Sequence, residues 1–349
     1  MGTIRLFVGT EKGLFIYSSP DRQIWNLEEP LLPGWEVSSV LPLKDKWLLG
    51  TTHYVYGATI RQSTDEGKTF TQCEASPVYP EGSFTVNRIW QMVKHPLTDK
   101  YYAGVAEAGL FQSDDGENWE EVKSLSDHET RSLWQPGKGG LCLHTILFHP
   151  SNPERIWLAM SAVGAFRSDD GGKSWQVKTK GIDPVITDEK PSEVGRCVHK
   201  MVLHPKNPDK LFLQYHHGVY ASDDAGDNWY KIEEGLPSNF GFPMAMTHDE
   251  KLFVIPLESD GLRFSAEGEL RVFQFDPSSK SWFDSSEGLE GRGNYDTILR
   301  DAMTVDTQAS PGVYFGTTGG DVYARIGDDP WQRLPGSLPR ISMLRVLES

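Results

Sequence analysis

The chain has 349 residues, 38% of them hydrophobic and 24% charged, so it carries enough apolar material for a substantial globular core. Acidic side chains outnumber basic ones 49 to 34, giving a net charge of −15 at pH 7 and a pI near 5.1, which excludes the broad basic footprint of a nucleic-acid binder. Three cysteines make no disulfide framework, the N-terminus lacks a signal-peptide layout and no apolar run reaches the roughly 18 residues of a membrane span, so a reduced, cytoplasmic protein away from membranes is expected.

Abundant aromatics with 34 Gly and 22 Pro point to many short strands joined by turns, an all-β chain. Residues 1–9 read as a strand lying second in its sheet, because no inner strand precedes them, and 18–25 as a loose turn closing on Trp25. Ser38-Ser-Val-Leu-Pro42 is a weak copy of a recurring inner strand. Clear copies follow as Gln91-Met-Val-Lys-His-Pro96, Ile146-Leu-Phe-His-Pro150 and Met201-Val-Leu-His-Pro205, and looser ones as Met246-Thr-His-Asp249 and Met303-Thr-Val-Asp306. The His-Pro histidines, His95, His149 and His204, recur with the strand and read as structural.

A second phrase alternates with these strands. It is spelled Ser63-Thr-Asp-Glu-Gly-Lys-Thr-Phe70, Ser113-Asp-Asp-Gly-Glu-Asn-Trp119, Ser168-Asp-Asp-Gly-Gly-Lys-Ser-Trp175 and Ser222-Asp-Asp-Ala-Gly-Asp-Asn-Trp229, with degenerate versions at 276–282 and 327–331 ending in Trp282 and Trp331. The Asp carboxylate can accept backbone N–H bonds within a turn, and the Gly adopts a positive φ that other residues resist. The closing aromatics fall 45 to 56 residues apart, which fits one four-stranded blade per repeat. Seven repeats predict a seven-bladed β-propeller over 1–349, a single domain without linkers. Arg340-Ile-Ser-Met-Leu-Arg-Val-Leu347 matches the inner-strand pattern, so it is expected to complete the first blade and leave no sheet edge.

The turn phrase resembles the Asp-box, the bacterial-neuraminidase repeat of the sialidase-like superfamily. That resemblance implies a propeller with its boxes on hairpin turns and its active centre on the opposite face. A typical sialidase is not expected. Arg340-Ile-Ser342 only echoes the Phe/Tyr-Arg-Ile-Pro motif, without its Pro, and Tyr54, Tyr56, Tyr215 and Tyr295 carry no motif that marks a nucleophile. Photosystem II assembly factors, which look similar, are non-catalytic and use an arginine patch. Sortilin-type receptors bind peptides in a larger ring but are disulfide-rich.

Strand alternation places the turns after the second strands on the face opposite the boxes. Aligning the inner strands on their His-Pro ends puts Val37, Trp90, His144, His199, Pro243, Arg300 and Arg340 at one level of the ring. Arg88 and Arg196 lie just upstream, and the facing turns add Glu11, His53, Glu107, His216, His217, Glu258 and Asp260. Guanidinium groups suit carboxylates or phosphates. The leading expectation is a hydrolase or lyase acting on a small anion, an acidic sugar or carboxylate. Arg300 and Arg340 would hold the anion, with Arg88, Arg196, Trp90, His53, Tyr54, His216 and His217 around it. His144 or His199 would move the proton, helped by Glu11 or Glu107. The alternative is a propeller that binds a ligand or a protein without turnover. No motif demands a cofactor. A divalent metal held by His144, His199 and His216, or by the paired motifs Cys142-Leu-His144 and Cys197-Val-His199, is a further option.

Overall fold

The computed structural model describes residues 2–184 and 192–348. Seven four-stranded antiparallel sheets stand around a central channel. Their inner strands, in blade order one to seven, are Ile341–Glu348, Glu36–Pro42, Ile89–Lys94, Cys142–Phe148, Val198–Leu203, Phe240–Met246 and Met303–Val305. Helix is confined to Lys123–Ser126 and two short 3₁₀ turns among the described residues.

Ring closure follows the sequence expectation. Ile341–Glu348 pairs antiparallel with Ile4–Thr10, with Val8 opposite Leu344. The second strands Tyr101–Val105, Ile156–Ser161 and Leu211–Tyr215 are buried at every position. Neighbouring blades cover both their faces, so they are spelled as continuous apolar runs rather than alternating ones. Gly9 and Gly104 sit where a Cβ would strike the carbonyls of Val37 and Leu143 in the next blade, so these positions set how closely blades stack.

The four Ser-x-Asp turns share one hydrogen-bond pattern. In the first, the Ser63 hydroxyl donates to Asp65 at 2.8 Å and accepts the Gly67 N–H at 2.8 Å, while Asp65 accepts the Thr69 N–H at 2.9 Å. These donors hold the Asp65 carboxyl down to about 2. In the third and fourth turns the closing indole ties the turn to the preceding blade: Trp175 Nε1 donates to Ser124 Oγ at 3.1 Å and Trp229 Nε1 to the Lys178 carbonyl at 2.9 Å. The turn chemistry therefore serves the ring.

The inner strands carry a feature that spacing alone did not disclose. Ladder register slips by one residue at Ser38, Trp90, His144, His199 and Ser342, and again by one in blade six, where Phe242 and Pro243 together stand opposite Ile255. At these bulges several side chains turn sideways onto the next blade. Ser38 Oγ donates to the Ile89 carbonyl at 2.8 Å, His144 Nε2 to Val198 at 2.9 Å, His199 Nδ1 to Gly241 at 2.6 Å and Ser342 Oγ to Val37 at 3.2 Å. Each accepting carbonyl belongs to the residue just before the next blade's bulge. The level read from the His-Pro alignment is therefore corrected in three blades. Val37 is core and Ser38 faces the channel, Phe242 accompanies Pro243, and Ser342 stands where Arg340 was expected.

Candidate ligand-binding basin

Opposite the Ser-x-Asp turns, the channel mouth opens into a basin of two lobes. The larger, about 440 Å³, is walled by the 133–140 and 192–197 segments, His216, His217 and Arg263. The smaller, about 320 Å³, lies over the channel and is lined by Glu11, Glu36, Arg88, Trp90, Asp301 and Arg340. Gly139, Phe242, Arg263 and Arg300 border both.

Arg300 stands apart from the other basin arginines. Arg88 is ion-paired with Glu36, Arg340 with Glu11 at 3.3 Å, and Arg263 with Asp260 at 2.5 Å. Arg300 faces no carboxylate partner among the described residues. Its guanidinium lies 5.1 Å from the Trp90 ring and 5.6 Å from the Phe242 ring, with Nη2 donating to Ser161 Oγ at 3.3 Å. Its Nε is buried without a hydrogen-bond partner. Arg196 also lacks an ion pair among the described residues, and its Nη1 is spent on the Ser192 and Val194 carbonyls.

Beneath the smaller lobe, Asp301 is buried between Lys200 Nζ at 2.7 Å and Arg345 Nη2 at 3.1 Å. Two cations against one carboxyl hold Asp301 well below the usual carboxylate range, so it stays ionised. The channel floor thus carries more positive than negative charge, although the chain as a whole is acidic. Asp260, between Lys138 at 2.6 Å and Arg263, is likewise held down to about 2.

The two expected proton-transfer histidines part company. His144 is fully buried between blades four and five. Its Nε2–H donates to the Val198 carbonyl and its Nδ1 accepts from Thr145 Oγ1 at 3.0 Å, so both ring nitrogens are occupied away from the basin. His199 borders the larger lobe. A carbonyl only accepts, so the Gly241 contact puts the proton on Nδ1 and leaves Nε2 with a free lone pair. Burial, then the charge of Arg300, pushes His199 well below its ordinary range, and burial lowers His216 as well. Both are neutral near pH 7. Burial pushes the Cys197 thiol up.

Of the other expected residues, Arg88, Arg196, Arg340, Trp90, Glu11, His216 and His217 reach the basin. Glu107, His53 and Tyr54 do not line it. Glu107 sits on a left-handed turn whose carbonyl accepts from Arg131 at 2.9 Å. His53 and Tyr54 stack with each other at 4.5 Å, and His53 also packs against Trp35 and Tyr56, forming a separate aromatic cluster. Sequence reasoning missed Arg263, Phe242, Ser161 and Asp301. Arg263 had one signal: blade six joins its second and third strands by a long excursion from Leu257 to Phe273, where blade five needs only His216 and His217.

No family model matches the chain, and no curated protein matches it. Solved structures do. An ancestral GH74 enzyme superposes with a TM-score of 0.61 at 21% identity, over 85% of this chain and 38% of that one. The GH74 enzyme of Niastella koreensis gives 0.57 at 15% identity, over 94% and 46%. The chain therefore spans less than half the length of these two. A candidate 6-phosphogluconolactonase from Bacteroides fragilis gives 0.60 at 10% identity and matches end to end, over 99% and 98%. At these identities the likeness establishes the seven-bladed fold.

Proposed function

We propose that the chain is a propeller hydrolase or lyase acting on a small carboxylate-bearing ligand, an acidic sugar or sugar acid, held over the channel mouth. The observation that carries this reading is Arg300, a guanidinium between two aromatic rings with, among the described residues, no partner on its buried Nε and no carboxylate against it. An unneutralised cation in a concave site is a binding site for an anion, and its fork suits a carboxylate. Trp90 and Phe242 offer faces to a sugar ring. The resemblance of the Ser-x-Asp turns to Asp-boxes, whose propellers work from the opposite face, supports the same mouth. So do fold neighbours that include GH74 enzymes and a candidate sugar-acid lactonase.

Within the basin, Glu11, Glu36 and Asp260 are engaged in ion pairs with Arg340, Arg88 and Arg263, and Lys138 with Arg263 holds the Asp260 carboxyl down to about 2. Proton transfer therefore falls to the imidazoles that face the larger lobe. His199 Nε2 and His216 are neutral and can accept a proton. His144 holds the blade seam and takes no part.

A thermal-shift series with uronic and other sugar acids, small carboxylates and phosphate tests the reading. One anion class should raise the melting temperature, since ligand at about a hundred times its dissociation constant adds roughly 2.7 kcal/mol of stability. The shift should vanish in Arg300→Met. Absence of any shift, or a shift that survives Arg300→Met, overturns the assignment. A shift without turnover of the same compound leaves a binding propeller.

A further inference from the structure

The larger lobe holds a cluster of which the proposed function uses two members, His199 and His216, as free imidazoles. Cys197, His199 and His216 each bring a ligating atom to within 4.8 Å of the others. We propose that these three side chains bind a divalent metal ion of the zinc class, leaving one coordination position open to the basin.

The backbone holds the three together. Val198 pairs with Tyr215 across the ladder, and the His216 N–H donates to the Cys197 carbonyl at 3.1 Å. His199 has its Nδ1–H anchored on the Gly241 carbonyl, which is the outer-shell contact that fixes the tautomer and aim of metal-bound histidines, and its Nε2 lone pair is unused. His216 Nδ1 is buried with no partner among the described residues. One thiolate and two imidazoles form a borderline-soft donor set that suits zinc and disfavours magnesium or calcium. Zinc lies about 2.3 Å from sulfur and about 2.0–2.1 Å from nitrogen, so tetrahedral donors stand under roughly 4 Å apart. His216, half-exposed at a two-residue turn, can supply the small remaining closure.

Blade four shows why the cluster is specific to blade five. The position of His216 is Ala162 there, that of His217 is Val163, and His144 has no free nitrogen. Three protein ligands with a vacancy is the arrangement of catalytic rather than structural zinc. One consequence rests on the anion reading, although the metal site itself does not. With metal bound, His199 and His216 become ligands, and a metal-bound water replaces them as base or nucleophile.

The test is cobalt(II) titration of the full chain after stripping with a chelator. One cobalt per chain is expected, with a thiolate-to-cobalt absorption band in the near ultraviolet. Cys197→Ser should abolish the band and weaken uptake by more than the about 10–100-fold that loss of an outer-shell partner costs. Cys142→Ser should leave both unchanged. Cys197 sits near a blade seam, so His216→Ala on the half-exposed turn is the second variant. It should keep its circular dichroism and weaken cobalt binding to the same degree. Absence of the band, uptake that survives both variants, or a band lost only in Cys142→Ser overturns the proposal. Arg300→Met should abolish anion binding and retain the cobalt band, so the two readings fail separately.

Discussion

Blades four and five carry the same three-residue phrase, Cys142-Leu-His144 and Cys197-Val-His199, at the same place on their inner strands, and put it to different uses. In blade four the imidazole is fully consumed. Nε2 seals the joint to blade five, Thr145 caps Nδ1, and Cys142 Sγ rests on the Gly139 carbonyl at 3.1 Å. In blade five the seam bond is made from Nδ1 instead, so Nε2 is released towards the larger lobe, where His216 and Cys197 stand. The residue after the histidine decides part of this: blade five has Lys200, whose ammonium leaves the strand to reach Asp301. A repeat can thus fix a position in the ring without fixing what the side chain does there. The choice between the two ring nitrogens separates His144, with both nitrogens bonded in the seam, from His199, whose Nε2 is left facing the larger lobe.

The comparison breaks most severely if His144 can be removed cheaply. His144→Ala should cost about 3–5 kcal/mol in urea unfolding, because it opens a cavity at a packed seam, leaves the Val198 carbonyl with only the longer Ser161 Oγ bond at 3.4 Å and strands the Thr145 hydroxyl. Cobalt uptake and anion binding by the folded fraction should be unchanged. His216→Ala should cost under about 1 kcal/mol, since this side chain is half-exposed. If the two variants show equal losses of stability, the division of roles between the blades is wrong.

A second effect follows from the pKa directions. His144 and His199 both lie well below their ordinary range in the folded protein. Below about pH 6.5 the unfolded chain takes up protons at these positions and the folded chain does not. Stability therefore falls as pH drops from about 6.5, by about 1.4 kcal/mol per pH unit for each histidine. His144→Gln should remove one histidine's share of that slope between pH 6 and 5. Saturating zinc should steepen the remaining slope, since acid strips the metal as well as charging the unfolded chain. A slope indifferent to both interventions would place the acid sensitivity elsewhere.

The ring could be read from sequence because its signals are local. The Ser63, Ser113, Ser168 and Ser222 turns each spell their own hydrogen bonds, and the strands between them carry their burial as apolar runs. Blade closure followed from a missing inner strand at one end of the chain and a surplus one at the other. The basin was only half legible, because its electrostatics are non-local. Arg340 and Arg300 looked equivalent along the chain, yet Glu11 pairs with the first and no carboxylate among the described residues pairs with the second. Blades one and two lack the His-Pro marker, so the level of Ser38 and Ser342 could not be fixed by alignment. The bulges that aim these residues leave no composition of their own.

The finest test of the comparison is Thr145→Val, a substitution of nearly equal volume. The hydroxyl it removes caps His144 Nδ1 at 3.0 Å inside a fully buried seam. Loss of that one donor leaves an unpaired acceptor and should cost about 1–2 kcal/mol. No comparable hydroxyl caps His199, because Lys200 occupies the equivalent position and bonds Asp301. The effect should therefore appear in stability alone, with the cobalt band, anion shift and reactivity of Cys197 unchanged. If Thr145→Val alters metal uptake at blade five, the seam bond from His144 to Val198 positions the Cys197–His199 strand, and the two copies act as one unit rather than two.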